Sequence, residues 1–215
     1  MENEILIKKG AEAELYKSTW MNREVVIKRR KSKSYRNPDL DRYIRVHRTS
    51  LEAKLLSDAR KLGVPTPIVY DVDLNNTQII MSFIRGPPLK NLIPKMNKEY
   101  MKKTFIEIGR LVGLLHKGGI VHGDLTTSNM LIQNDMIFFI DFGLGDYTKD
   151  IEARGVDIHL MRRAIESLYY EFSEYAYESF IVGYKEIMLD EANDILKRVI
   201  EIRKRGRYVE GDRHK

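Results

Sequence analysis

Val121-His122-Gly123-Asp124-Leu125-Thr126-Thr127-Ser128-Asn129, followed by Ile140-Asp141-Phe142-Gly143, is the stretch on which the reading of this chain turns. It sets an Asp and an Asn five positions apart and places a second Asp, opening an Asp-Phe-Gly turn, twelve positions later. Phosphoryl transfer asks little covalent chemistry of a protein; it needs a positioned nucleophile and neutralised charge. Asp124 can accept or orient the proton of an attacking hydroxyl or water, while Asn129 and Asp141 offer oxygen ligands to a magnesium ion bridging phosphates. Short polar side chains on a tight loop converge, whereas on a helix they would diverge. The bland reading is that Asp, Asn and Gly mark turns between short strands. The order of both motifs, flanked by apolar runs at 129–132 and 136–140, argues against it.

Composition sets the outer bounds. A chain of 215 residues with 43% apolar content can bury a substantial core. No apolar run approaches a membrane span, and the N-terminus lacks a basic-then-apolar leader, so a cytosolic protein with no membrane partner is expected. The absence of cysteine and the five scattered His residues exclude disulfides and thiolate metal sites and leave no zinc pattern. A formal charge of +6 favours an anionic partner, and a nucleotide satisfies that.

Outward from the motif, the pattern predicts an α+β fold: a minimal two-lobed, protein-kinase-like domain spanning 1–215. Its parts are an N-lobe to about residue 83, a truncated and mostly helical C-lobe over 84–202, and a basic tail over 203–215. Strands are predicted at 4–8, 13–19, 24–31, 68–74 and 78–84, forming a five-stranded antiparallel sheet. The turn between the first two carries Gly10, Ala11 and Glu12 as a lid over phosphates, weakly specified because it holds a single glycine. Val25-Val26-Ile27-Lys28 has the strand form in which a Lys reaches the α and β phosphates. The neighbouring Arg29, Arg30 and Lys31 make solvated surface an alternative locally; alternation favours Lys28, which shares a face with Val26. A buried Lys needs an acidic partner, and Glu52, in the middle of a helix predicted over 38–62, can supply it. Ser82 and Ile84 precede a Gly-Pro hinge, where backbone groups can contact adenine. A periodic helix over 98–117, with Phe105, Ile108, Leu111, Val112 and Leu115 inward, delivers the chain to the catalytic loop.

After Asp141 no Ala-Pro-Glu signal follows, and no long activation segment separates Gly143 from the next helix. A platform for extended peptides is therefore not expected. Helices are predicted over 152–172, with Val156, Leu160, Ile165 and Leu168 inward, and over 173–188 and 190–203. Asp157 can brace the catalytic loop or simply sit favourably on a helix N-terminus. The run Arg203-Lys204-Arg205-Gly206-Arg207-Tyr208 is either a solvated end or a grip on phosphate backbones.

The chain resembles the small atypical kinase family of the KEOPS (EKC) complex, the bud-site-selection kinases. The matching residues are Gly10-Ala11-Glu12-Ala13, Arg48-Thr49 with Glu52-Ala53-Lys54-Leu55-Leu56, Gly63-Val64-Pro65-Thr66-Pro67, His122 to Asn129, Ile140 to Gly145, the stretch from Val156-Asp157 to Arg163-Ala164, and the basic tail. The resemblance implies a cytosolic Ser/Thr kinase or ATPase using ATP and Mg2+, within a complex that makes threonylcarbamoyladenosine in tRNAs decoding codons that begin with A. It also implies that the C-lobe docks on a threonylcarbamoyl-transferase subunit, the N-lobe on a small regulatory subunit, and that the tail serves tRNA and the transferase. Lys28, Glu52 and Asp124 carry over as catalytic residues, Asn129 and Asp141 as metal ligands, and Gly10, Ala11, Glu12, Lys28, Ser82 and Ile84 as nucleotide contacts. Ser82 departs from the acidic hinge residue common in that family.

Two departures from ordinary kinases bear on mechanism. Gly123 replaces the Arg that reads a phosphorylated activation loop, and Thr126 replaces a Lys that steadies the transferred phosphate, which should slow transfer to protein hydroxyls. Competing readings are a RIO-type ribosome-maturation kinase, for which a preceding winged-helix domain is expected, an aminoglycoside- or choline-type phosphotransferase, for which a large helical insertion is expected, and a non-catalytic scaffold binding tRNA or proteins through basic surfaces.

Overall fold

Turn chemistry and alternation build the first sheet. In the computed structural model, which describes residues 2–168 and 170–211 with side chains for 4–167 and 170–205, five strands run antiparallel: β1 (Glu2–Lys9), β2 (Ala13–Trp20), β3 (Arg23–Arg30), β4 (Val69–Asp73) and β5 (Gln78–Ser82). Their order is β1-β2-β3-β5-β4. Met21 and Asn22, at φ 49° and 59°, join β2 to β3 as a two-residue turn whose twist matches the strands. Along β3 the alternation is strict: Val25 and Ile27 bury against Ile80 beneath Tyr16, Trp20 and Tyr70, while Val26, Lys28 and Arg30 take the opposite face. The last strand ends at Ser82, two residues short of the predicted bound.

Helix α1 (Pro38–Lys61) backs this sheet. The Asn37 side chain accepts from the N–H groups of Asp39 and Leu40, Pro38 opens the helix, and Asp39 and Asp41 lie in the first turn. Ala53, Leu55, Leu56 and Ala59 point inward. The chain then passes through α2 (Leu89–Leu92), α3 (Lys98–Lys117), β6 (Ile120–Val121), β7 (Met130–Gln133), β8 (Met136–Phe139), β9 (Asp146–Tyr147), α4 (Ile151–Leu168), α5 (Ser173–Met188) and α6 (Glu191–Gly211). All five residues predicted inward on α3 are buried. Backbones of α3 and α5 touch: a methyl added to Gly109 would lie 2.0 Å from the Phe180 carbonyl oxygen, and one on Gly183 1.9 Å from that of Ile106. One hydrophobic core runs from Leu55 through Phe105 and Phe142 to Val199, so sheet and helices share it.

The last third departs from the predicted pattern. Val156 is exposed and Leu160 half-buried, whereas Ile158, Met161 and Ile165 face the core; the Leu168 side chain lies outside the described residues. The stripe is turned because Asp157, a polar residue, takes an interior position. The helix predicted over 152–172 is α4 to Leu168 and a separate 3-10 turn at Tyr170–Phe172. Helix α6 runs on to Gly211 rather than ending near 203. Of the basic tail, Arg203 pairs with Glu166 at 3.5 Å and Arg205 with Glu152 at 2.5 Å, while side chains beyond 205 and residues 212–215 lie outside the described residues. No helix among the described residues is long and apolar enough to cross a membrane.

Candidate active site

The cleft face of β3 carries the first two charges. Lys28 Nζ lies 2.6 Å from Glu52 Oε1 on α1 and 2.6 Å from Asp141 Oδ1. Lys28 and Glu52 are buried, 6% and 1% exposed, while Asp141 opens into the cleft. Burial works against the Lys28 charge, but Glu52 and Asp141 outweigh it and hold the ammonium above its ordinary range. Burial likewise opposes ionisation of Asp141, and the Lys28 charge and hydrogen bond overcome it, keeping the carboxyl below its usual value. Asp141 sits at φ 65°, a left-handed conformation for which Asp is one of the more tolerant residues.

The catalytic loop is fixed from behind. Asp157 on α4 accepts the His122 N–H at 2.6 Å and the Gly123 N–H at 2.8 Å, and lies 3.4 Å from His116 Nε2. His116 Nδ1 in turn meets the buried Tyr184 hydroxyl at 2.8 Å. Burial would raise the Asp157 pKa, yet the bonds from His116 and His122 lower it, so the brace is a carboxylate. His122 Nε2 lies 3.1 Å from the Ile140 carbonyl and must donate, which leaves Nδ1 to accept the Asp124 N–H at 3.3 Å. Burial keeps this imidazole neutral, and its ring lies 4.5 Å from that of Phe142. Gly123 has φ 79°, and any Cβ there would stand 2.0 Å from the Leu144 carbonyl oxygen. No Arg can occupy the position.

Asn129 Nδ2 donates to the Asp124 carbonyl oxygen at 2.9 Å and to Asp124 Oδ2 at 2.8 Å. Two acceptors fix the amide's orientation and turn Oδ1 away from Asp124. Hard oxygen donors of this kind suit Mg2+, which keeps few protein ligands and is completed by phosphate oxygens. No group of three or more His, Cys, Asp or Glu that could hold a metal exists among the described residues. An ion held by Asn129 and Asp141 would take the rest of its shell from phosphate oxygens and water.

Two adjoining clefts meet at Lys28 and Asp141. One, about 310 Å3, is apolar and lined by Leu15, Val26, Met81, Ile84, Leu131 and Ile140, with Ser82 and Asn129 at its edges. The other, about 490 Å3, is lined by Gly10, Ala11, Glu12, Arg30, Asp124 and Gly143, with charged side chains of both signs. An apolar slot opening into a compartment lined by both cations and carboxylates matches the two halves of a nucleotide, an apolar base and a phosphate chain that needs cations and a metal. In the hinge the Ser82 N–H donates to Ile68 O at 2.8 Å and the Phe83 N–H to Glu24 O at 3.2 Å, while the Ser82 hydroxyl accepts the Ile68 N–H.

Every predicted site residue except Glu52, which is buried behind Lys28, lines one of these clefts, and one of them differs in orientation. The Glu12 carboxylate faces Arg48 Nη1 at 2.8 Å and Arg30 Nη1 at 3.6 Å, so it tethers the lid to α1. Sequence reasoning missed Arg30. Its side chain is 5% exposed and Nη2 lies 2.6 Å from Glu52 Oε2. The signal was present in the same alternation that picked Lys28. Also missed was β9, which pairs with β6 through Ile120↔Tyr147 and Val121↔Asp146. The Tyr147 hydroxyl donates to Asp58 on α1 at 2.7 Å, closing the short segment after Gly143 against that helix.

A profile of the RIO domain family matches residues 9–180. The chain is 43% identical over 212 residues to the KEOPS complex subunit Bud32 of Pyrococcus abyssi, covering 95% of this chain and 96% of that protein. It is 44% identical over 201 residues to a probable bifunctional tRNA threonylcarbamoyladenosine biosynthesis protein of Methanosphaera stadtmanae, of which it spans 36%. A protein of the same description from Methanosarcina mazei is 42% identical over 205 residues, again with 36% of its length spanned. The crystal structure of the Chaetomium thermophilum Rio2 kinase–ADP/Mg2+–phosphoaspartate complex superposes with a TM-score of 0.64 at 17% identity, over 97% of this chain and 71% of that one. At that identity the likeness is one of fold.

Proposed function

This chain belongs to the RIO domain family, in the branch of the KEOPS subunit Bud32, and from that premise we propose that it is the kinase-like subunit of a KEOPS complex, an Mg2+-dependent ATP site supporting threonylcarbamoyladenosine formation in tRNA. The observation that carries the reading is the convergence of Lys28, Asp124, Asn129 and Asp141 where an apolar slot meets a compartment lined by charged side chains. Lys28, held ready by Glu52, supplies positive charge to phosphates. Asn129 Oδ1 and Asp141 would hold a magnesium ion, which when bound would supply positive charge to the phosphate oxygens. Asp124, oriented by Asn129 and by its own N–H bond to His122, takes the proton of the attacking hydroxyl or water. Leu15, Val26, Met81 and Ile84 would exclude water from a base bound in the apolar slot, whose hinge side is formed by Ser82 to Ile84.

Thr126 brings no cation to the transferred phosphate and Gly123 no side chain at all. Transfer to Ser or Thr of proteins is therefore expected to be weak, and ATP hydrolysis stimulated by a partner to be the working activity. The relatives in which a similar domain makes up 36% of a bifunctional threonylcarbamoyladenosine biosynthesis protein support a tRNA-modifying partner. We assign the transferase subunit to the helical lobe, a small regulatory subunit to the sheet lobe, tRNA to the basic C-terminal segment, and the whole to the cytosol.

The test is ATP turnover by the chain and its Asp124→Ala and Asp141→Ala variants, with and without the transferase subunit and tRNA. Both variants should lose at least about 100-fold in turnover, Asp141→Ala losing Mg2+-dependent nucleotide binding as well. Variants that match the parent under every condition would leave a scaffold as the reading, and strong partner-independent turnover on peptides would overturn the ATPase assignment.

A further inference from the structure

Glu52 carries two cations where the kinase arrangement needs one. Lys28 holds Oε1 at 2.6 Å and Arg30 holds Oε2 at 2.6 Å, with the carboxylate 1% exposed. The chain of alternating charge continues in both directions: Arg48 on α1, Glu12 in the lid, Arg30 on β3, Glu52 on α1, Lys28 on β3, and Asp141 beyond it. We propose that Arg30 is a positioning residue for nucleotide binding: by holding Glu52 from its second oxygen, it frees Lys28 to turn its charge toward phosphate without stranding a buried carboxylate. The inference rests on the reading of these clefts as an Mg2+–ATP site.

The physical need is clear from the burial. A carboxylate out of water that loses its only partner is strongly destabilised. With Lys28 as sole counter-ion, Glu52 would hold the ammonium in competition with every phosphate oxygen. Arg30 removes that competition, because a guanidinium stays charged at any working pH and binds through a planar fork. Its own position is set from the far side by Glu12, which is anchored on Arg48, so the lid and the charge on Glu52 are linked. The Arg30 guanidinium also borders the phosphate compartment: Nη2 would lie 3.1 Å from a Cβ at Gly143. Its Nε is buried without an acceptor among the described residues. Direct contact of Arg30 with phosphate is therefore the rival account, and the experiment separates the two.

Binding of Mg2+–AMP-PNP is measured calorimetrically for the whole chain, for Arg30→Gln, Glu52→Gln, the double variant and Arg30→Lys, with a thermal melt of each. Arg30→Gln should weaken binding about tenfold, and Arg30→Lys, which keeps a cation on Glu52, less than about threefold. In the Glu52→Gln background, where no carboxylate needs holding, adding Arg30→Gln should change affinity by less than about twofold. A tenfold loss that persists in that background assigns Arg30 to the phosphates and overturns the proposal. So does an Arg30→Gln variant that binds like the parent, or a tenfold loss in Arg30→Lys. A role in stability alone would lower melting temperatures and leave affinities unmoved, which also overturns it. Should Arg30→Gln fail to fold, the double variant, which removes both charges together, and Arg30→Lys still decide through the same thresholds. If the parent itself does not bind Mg2+–AMP-PNP, the ATP-site reading fails first.

Discussion

Asn129 faces Asp124 with its amide nitrogen, 2.8 Å from Oδ2 and 2.9 Å from the main-chain carbonyl oxygen. The pair is thus donor against acceptor, and the Asn oxygen is not the atom that Asp124 engages. Asn129→Asp would set two carboxylates against each other at this distance, and one must then bind a proton to relieve the repulsion. We expect turnover at neutral pH to fall about 100-fold and the acid limb of the pH–rate profile to move upward by about one unit or more. An unshifted acid limb would show that Asp124 does not act in the ionised form.

Stability should fall early on acidification, and His122 is the reason. Its pKa is lowered by burial, so the folded chain keeps it neutral while the unfolded chain protonates it near pH 6.5. A group depressed on folding contributes stability above its unfolded pKa and loses it as pH falls toward the folded one. Below about pH 6.5 this site makes stability fall on acidification, with a slope of at most about 1.4 kcal/mol per pH unit. Denaturant melts of His122→Gln across that window should show the slope reduced by up to that amount, with the remainder assigned to the depressed His159. Asp157, also depressed, adds a second loss below about pH 4.

The kinase-like sheet and most helix bounds were legible because they rest on local chemistry. Asn37-Pro38 opens α1, the strict alternation along β3 turns Lys28 to the cleft, and the apolar stripe of α3 keeps its helical period although Thr104 and His116 are buried among it. What escaped was set by tertiary partners. Asp157 turns α4 because it serves two backbone N–H groups some thirty-five positions away, which displaces Val156 outward. Arg30 shares the cleft face of β3 with Lys28, so alternation pointed to it, but only the buried Glu52 distinguishes it from its basic neighbours. The two-residue strand β9 owes its existence to pairing with β6, not to its own propensity.

The contact between α3 and α5 offers a test of stability that does not touch the cleft. Gly183→Ala would press a methyl to 1.9 Å from the Ile106 carbonyl oxygen, a backbone atom that cannot turn aside. The helices must separate, at a cost of about 1–3 kcal/mol as in other overpacked cores. Equilibrium unfolding should report that loss while the affinity for Mg2+–ATP stays within about twofold of the parent. A large drop in affinity at unchanged stability would show that helix spacing is transmitted to the catalytic loop.

Gly123 tests the loop directly. Its φ of 79° and the 2.0 Å approach of the Leu144 carbonyl oxygen to a Cβ forbid any side chain while the segment after Phe142 keeps its path. Gly123→Ala should cost about 2 kcal/mol or more in stability, because the strained backbone and the clash add. Turnover should fall further than nucleotide affinity: Asp124, the next residue, is displaced, while Lys28 and the apolar slot are untouched. Gly123→Arg should behave no better, since the guanidinium cannot be reached by a path that the backbone excludes. The measurement is KM against kcat for ATP in Gly123→Ala beside its melting curve. A variant that loses affinity and keeps kcat would mean that Gly123 serves the nucleotide, not the base.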